Sequence, residues 1–320
     1  MDFPAAPVAS GSVRSRSSRL LALGALACLW SLGAATPASA ADAVLEQAAK
    51  SGEVLMVGPA DSPPLVMIGP NGEPEGYAIE LARRIDRQLK AELGNNVRIR
   101  FAPVDNTTVT VGAVSSGKAG LACGVPFSWE NEKLVDFSLP IGLSGLRLLT
   151  RRGSLDGSPA SLAGQSIAVV EGSLGAGLLG SLQPNARAVS FPTLALAVTG
   201  LEQNKVTGVL GDANVLAGLR HQRRLSGVRL VPEQPYVSYG VGCIVPENNS
   251  RLLNVVNLAI AGLLQGYLEG RPEAVASIAP WVGPTGVLVV PTERVRALFE
   301  SVLLTREGFH LGAPAPVAPR

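Results

Sequence analysis

The chain has 320 residues, 47% of them apolar and 16% charged, with 36 glycines, 24 prolines and a formal net charge of +2. That length allows two modest lobes and excludes a small disulfide-stapled module, and the even spread of Gly and Pro excludes low-complexity disorder and collagen-like repeats. A near-neutral charge provides no basic stripe for nucleic acid.

Arg14, Arg16 and Arg19 precede an apolar stretch from Leu20 to Leu32, and Ala38-Ser39-Ala40 supplies a small-x-small cleavage pattern. The stretch is shorter than the roughly 20 residues of a membrane-spanning helix, and no later window reads as a span. Residues 1–40 are therefore expected to be an export signal cleaved after Ala40, giving a periplasmic or secreted protein. The segment before Cys28 fits a lipobox poorly. Removing residues 1–40 takes away three arginines and Asp2, leaving 24 basic and 24 acidic residues and no electrostatic partner class. Two cysteines then remain, Cys123 and Cys243; spacing alone leaves a disulfide and two buried thiols equally open.

Strands and helices alternate from there on. Val54 to Val57 reads as a strand, followed by turns at Pro63-Pro64 and Pro70-Asn71-Gly72. A helix starts near Gly76, with Leu81, Ile85, Leu89 and Leu93 recurring every four residues. Val97 to Phe101 alternates as a strand, a helix runs through Val111 to Val114, and Leu121 to Val125 forms a third strand. This βαβαβ order predicts a parallel doubly wound sheet. After a break at Arg151-Arg152-Gly153 the cycle repeats: strand Ser166 to Val170, a Gly/Leu helix opened by Gly172-Ser173, a short strand at Val189 to Phe191, and a helix capped by Thr193. Val206 to Gly211 is a strand ending at Asp212, with a helix from Ala213. Val237 to Val245 is extended, Asn249-Ser250 caps an amphipathic helix, and Gly270 stops it. Beyond Gly283, Thr292 caps a helix bearing Val295, Leu298, Phe299, Val302 and Leu303, and the residues after Thr305 are expected to form a tail. The apolar stripe of this last helix fits either packing on the body or docking to a partner.

Four segments carry a resemblance. Gly76-Tyr77-Ala78-Ile79-Glu80-Leu81-Ala82, Val135-Asp136-Phe137-Ser138-Leu139-Pro140, Leu162 to Val169 with Glu171-Gly172-Ser173, and Asn254 to Gly266 followed by Trp281 stand in the order of matching segments of extracytoplasmic solute-binding proteins of family 3, the amino-acid ABC-transporter type. The chain resembles that family from about Val54 to Gly283. A narrower resemblance is to the orphan binding-like proteins of the cyanobacterial Grr type. The resemblance implies an α/β, two-lobed periplasmic-binding-protein fold (type II), each lobe a doubly wound mostly parallel sheet, with a C-terminal helical extension. Lobe 1 would comprise residues 41–148 and 236–283, lobe 2 residues 149–235, and the extension residues 284–320. It also implies that the strand around Cys243 lies beside the strand of Cys123, so that the two sulfurs meet.

Ligand would then sit in the cleft, where strand ends and helix N-termini converge. The candidate ligand-binding residues are Asp61, Ser62, Gly124, Ser128, Asn131, Gly172, Ser173 and Asp212. The family's carboxylate clamp, approximately G-M-T-x-T-x-x-R, reads here Gly124-Val125-Pro126-Phe127-Ser128-Trp129-Glu130-Asn131. Pro126 removes a hydroxyl and a backbone donor, and Asn131 removes the guanidinium fork that grips an α-carboxylate. Each charge-assisted hydrogen bond is worth about 1.5–3 kcal/mol, so affinity for α-amino acids should fall by powers of ten. Asp212 stands where family members often hold the ligand's α-amino group, and it also suits a helix cap. Tyr236 and Tyr239 read as hinge packing.

The expectation is a non-enzymatic monomer that closes on a small polar ligand other than a standard α-amino acid, with an ABC-transporter permease or a secreted peptide as further partner. No cofactor, metal or nucleic acid is expected. The alternatives are an orphan interaction protein for a secreted peptide or membrane partner and a dehydratase on the same fold using Asp212 and Glu171. Gly112 to Lys118 matches part of a phosphate loop, but Ala119 replaces the hydroxyl; Gly175 to Gly180 matches G-x-G-x-x-G, without the acid that should follow. His221 and His310 have no metal-ligand neighbours in sequence, and no nucleophile elbow is present.

Overall fold

A computed structural model describes residues 42–94 and 96–307. The expected export signal, Cys28, His310 and the segment 308–320 lie outside the described residues.

In chain order the elements begin with helix α1 (Ala43–Ser51) and strand β1 (Glu53–Pro59), then the small antiparallel sheet of β2 (Asp61–Ser62), β3 (Val66–Ile68) and β4 (Pro74–Glu75). There follow α2 (Tyr77–Leu93), β5 (Arg98–Val104), α3 (Thr107–Ser115), β6 (Ala122–Pro126), α4 (Trp129–Glu132) and β7 (Val135–Phe137). A long strand β8 (Gly142–Arg151) crosses to β9 (Ser166–Val170), α5 (Leu174–Leu182), β10 (Arg187–Phe191), α6 (Leu194–Glu202), β11 (Gly208–Asp212), α7 (Ala213–Gln222) and β12 (Val228–Val231). A second long strand, β13 (Val237–Pro246), returns to α8 (Ser250–Leu268), α9 (Pro272–Ile278), β14 (Val282–Gly283), β15 (Leu288–Val289) and α10 (Thr292–Glu307).

Parallel pairing joins β1 with β5, β9 with β10 and β11, and the short β14 with β15. The two ten-residue strands are antiparallel to each other and to their outer partners, β13 to β6 and β7, β8 to β11 and β12. The sheet is therefore mixed: eight strands with β8 and β13 adjacent at its middle. Most of β8 is buried on both faces, which is why its sequence shows no alternation.

Of the stripe foreseen for α2, Leu81, Ile85 and Leu89 are 0% exposed and join the core beneath α8, while Leu93 is half-buried against it. Helix α8 has the length and mean hydropathy (1.2) of a membrane span, contrary to the sequence reading, but Leu252, Val256, Ile260 and Leu264 are buried within the body. Asn249 precedes α8 without capping it: its Oδ1 accepts the Val44 N–H and its Nδ2 donates to the carbonyls of Pro246 and Glu247. The capping comes from Asp42, whose Oδ1 accepts Leu45 N–H in α1 and whose Oδ2 accepts Leu252 N–H in α8. Asp42→Ala strips two helix ends of acceptors in a buried place and is expected to cost about 2–3 kcal/mol in urea unfolding; a loss below about 0.5 kcal/mol would show that the caps are dispensable.

The apolar stripe of α10 is covered. Val295, Phe299 and Val302 are buried against α8, Phe299 meets Tyr267 edge-on at 5.3 Å, and Arg296 donates to the Leu268 carbonyl. Packing on the body, not a free docking stripe, is the use this helix makes of it.

Candidate functional site

Helices α3, α5, α6 and α7 each begin just past the C-terminal end of a strand. Asn106 caps α3, its Oδ1 accepting Val109 N–H; Ser173 caps α5 through Ala176 N–H; Asp212 caps α7 through the N–H groups of Asn214 and Val215. Between α3, the β2–β3 hairpin, β6 and the α6 and α7 starts lies a cavity of about 70 Å³. Its polar lining is Ser62, Thr107, Thr110 and Asp212; its apolar lining includes Leu65, Val66, Val125, Pro126, Leu194 and Val215, with Cys123 and Gly124 completing the wall. A wider depression of about 630 Å³ lies open to solvent along Pro272, Val275, Ala276 and Pro280, without a titratable side chain. The enclosed cavity, with its strand ends and one carboxylate, is the candidate site.

Among the described residues, Asp212 is the only charged one lining this cavity. Its Oδ1 accepts from Ser144 Oγ (2.9 Å), Asn214 N (2.9 Å) and Val215 N (3.0 Å), and its Oδ2 accepts from Tyr239 O–H (2.9 Å). Tyr239 thus does more than pack: it ties β13 to the end of β11. Desolvation raises the Asp212 titration above its ordinary value, with these hydrogen bonds opposing. Burial, then the adjacent Asp212, also raises the Tyr239 phenol.

A carboxyl that titrates higher in the fold than in the unfolded chain binds more protons when folded, so it adds stability as pH falls through its raised titration. Asp212→Asn removes that gain. The stability of the variant relative to the parent should therefore decline from neutral pH toward the ordinary aspartate value of 3.8. Denaturant unfolding at several pH values checks this; a variant that gains stability relative to the parent toward acid would contradict it.

Of the residues singled out from sequence, Ser62, Gly124 and Asp212 line the cavity, whereas Asp61, Ser128, Asn131, Gly172 and Ser173 do not. Ser128 caps α4, accepting Asn131 N–H, and Asn131 is half-buried. Phe127 packs edge-on against Trp129 and Phe137, both at 5.1 Å, and Trp129 is 72% exposed. Arg147 sits opposite Gly211, next to Asp212 in sequence, but turns away from the cavity, donating to the carbonyls of Leu230 and Pro232. Among the described residues, no lysine or arginine lines the cavity.

Sequence reasoning missed Thr107, Thr110, Leu65 and Leu194. The first two begin a helix just past a strand end, where Asn106-Thr107 is a legible cap signal; the leucines arrive from hairpin and helix packing that no local pattern announces. Leu65 packs over Gly124, whose φ of +87° and lack of a side chain admit it: a Cβ there would lie 3.2 Å from Leu65 Cδ1.

The two halves of the molecule touch around this cavity. Thr108 Oγ1 donates to the Gly172 carbonyl (3.2 Å) and Asn106 Nδ2 to the Pro192 carbonyl (3.3 Å). In the wall itself, Cys123 is disulfide-bonded to Cys243. Cys243 donates its backbone N–H to Ser138 Oγ and its carbonyl accepts the Ser138 N–H, so the two cysteines form a non-hydrogen-bonded cross-strand pair, the kind that brings side chains closest. Their Cα atoms are 3.9 Å apart.

Comparison with known proteins adds three kinds of likeness. The profile of the bacterial extracellular solute-binding proteins, family 3, matches residues 55–267. The ABC transporter arginine-binding protein 1 of Escherichia coli (strain K12) is 24% identical over 208 residues, 64% of this chain and 82% of that protein. Among solved structures, an ancestral arginine-binding protein bound to arginine superposes with a TM-score of 0.62 at 25% identity, covering 72% of this chain and 99% of that one. The solute receptor for L-cysteine of Neisseria gonorrhoeae gives 0.63 at 19% identity, covering 85% and 97%. These structures share a two-lobed type II binding-protein fold with this chain.

Proposed function

Because the chain belongs to the bacterial extracellular solute-binding proteins of family 3, we propose that it closes two lobes over a small polar ligand other than a standard α-amino acid. One observation carries this: among the described residues, the cavity is lined by a carboxylate, Asp212, and by no lysine or arginine. An α-carboxylate would enter without the bidentate partner that makes such recognition strong. Asn131, at the clamp position, lies outside the lining and has its backbone N–H engaged by Ser128. Arginine, glutamine and cysteine are ligands of the similar proteins by their names; the altered clamp separates this chain from that ligand class.

The lobes we assign are residues 41–148 with 236–283 and residues 149–235, joined through β8 and β13, with residues 284–320 as an extension. Export by the N-terminal signal and delivery to an ABC-transporter permease complete the reading, supported by the family's extracellular setting.

Titration calorimetry of the purified chain against the twenty standard amino acids tests it. None should bind with Kd near or below about 1 μM, the −8 kcal/mol that a complete site supplies. Micromolar binding of any of them, unaffected by Asn131→Ala, would overturn the proposal.

A further inference from the structure

We propose that Leu65 sets the upper size of the solute. Its side chain crosses from one half of the molecule to the other and fills the room a longer ligand would need, leaving the cavity to a neutral solute smaller than any α-amino acid. This rests on the solute-binding reading above.

Volume comes first. A cavity of about 150 Å³ takes up benzene, six heavy atoms; the cavity here, about 70 Å³, has room for about three or four. Glycine already has more. Charge selects neither sign. Asp212 caps α7, and the starts of α3 and α6 reach the same lining through Thr107 and Leu194. Helix starts carry about half a positive charge each, so the single carboxylate is compensated and no full charge is left for a ligand to neutralise.

Leu65 is what keeps the volume down. Its backbone is fixed on both sides: its N–H donates to the Ser62 carbonyl, and its carbonyl accepts the Ala78 N–H at the start of α2. The side chain is half-buried, lies over Gly124 of β6 and packs against the apolar cluster that includes Ala195, Val198, Val215 and Leu219. Among the described residues, every other side chain in or against that cluster falls between Leu149 and Leu230. Leu65 is thus the one apolar group that the first half places in the core of the second. Leu194, the other leucine in the lining, lies against Gly211 within its own half. Shortening Leu65 adds room at the junction and keeps both of its backbone hydrogen bonds.

The straight-chain alcohols from ethanol through propanol, butanol and pentanol to hexanol are neutral probes of rising length. They are titrated into the purified chain and into Leu65→Ala by calorimetry and amide NMR, with the Gly124 and Thr110 signals marking the site. Each methylene that fits should tighten binding about four-fold, the worth of burying one. In the parent the gain should stop at propanol or butanol. In Leu65→Ala it should continue to hexanol, which should bind the variant at least about ten-fold more tightly than the parent. Should the alanine variant not fold, Leu65→Val shortens the side chain less and should move the limit by about one methylene. A limit that stays put in a folded variant, or a parent in which affinity rises through hexanol, overturns the assignment. If neither protein binds any of the alcohols but a larger solute binds the parent, the size limit falls while the solute-binding reading stands. If no solute of any class binds either protein, both fall.

Discussion

Replacing Cys123 and Cys243 together by alanine should lower the unfolding free energy by about 4–5 kcal/mol, the chain-entropy value for a closed loop exceeding 100 residues. The loop here spans 120 positions, so the bond constrains the unfolded chain across the whole second βαβ cycle. For a body of this size each kcal/mol moves the midpoint by about 2–4 °C, so a drop of roughly 10–15 °C is expected in thermal scans. The alternative source of strength at this place is the strand pairing of β6 with β13, whose register shifts between Gly242 and Cys243. An interrupted ladder has less to fall back on than a regular one. A double-alanine protein within about 1 kcal/mol of the parent would show that the ladder suffices and that the disulfide is incidental.

The second large effect is expected at Gly218. This glycine lies inside α7, where alanine would ordinarily add up to about 1 kcal/mol of helix stability. Here a Cβ would overlap the Pro63 carbonyl and come within 2.9 Å of Pro64 N, both backbone atoms of the loop after β2. Backbone cannot rotate aside as a side chain would. Gly218→Ala should therefore force α7 away from that loop, opening the cavity between Ser62 and Asp212 while leaving each half folded. Ligand affinity should fall by more than ten-fold, about 1.4 kcal/mol or more, the radius of gyration in solution scattering should rise, and the ligand-free melting temperature should change little. Unchanged affinity together with unchanged scattering would mean that the close approach is not part of the binding-competent arrangement.

What could be read from the residues followed from where each element is buried. Helix α2 was legible because one face is internal and the other carries Arg83, Arg84 and Arg87, which gives a clean four-residue rhythm. Strand β9 was legible as a short apolar run bounded by turns. Strand β8 was not: Leu146, Leu148 and Leu149 are all buried, Gly145 abuts Pro235 and Val237, and no period of two survives. Missing it hid the antiparallel centre of the sheet. The site divided in the same way. Asp212 and Gly124 could be located because strand ends and helix starts have local signals; Leu65, Leu194 and the disulfide partner strands depend on contacts between segments far apart in sequence. Asn131 shows the opposite limit: its place in a motif was legible, but its distance from the cavity was set by the short helix that Ser128 caps.

Because β8 and β13 lie side by side through the middle of the one eight-stranded sheet, neither half of this protein owns a complete set of neighbours for its own strands. Cutting the gene to express one half alone would leave a central strand with a raw hydrogen-bonding edge, a template for aggregation. Denaturation should accordingly proceed as one concerted event, and the slowest amides to exchange with deuterium should form an unbroken band running from one half into the other.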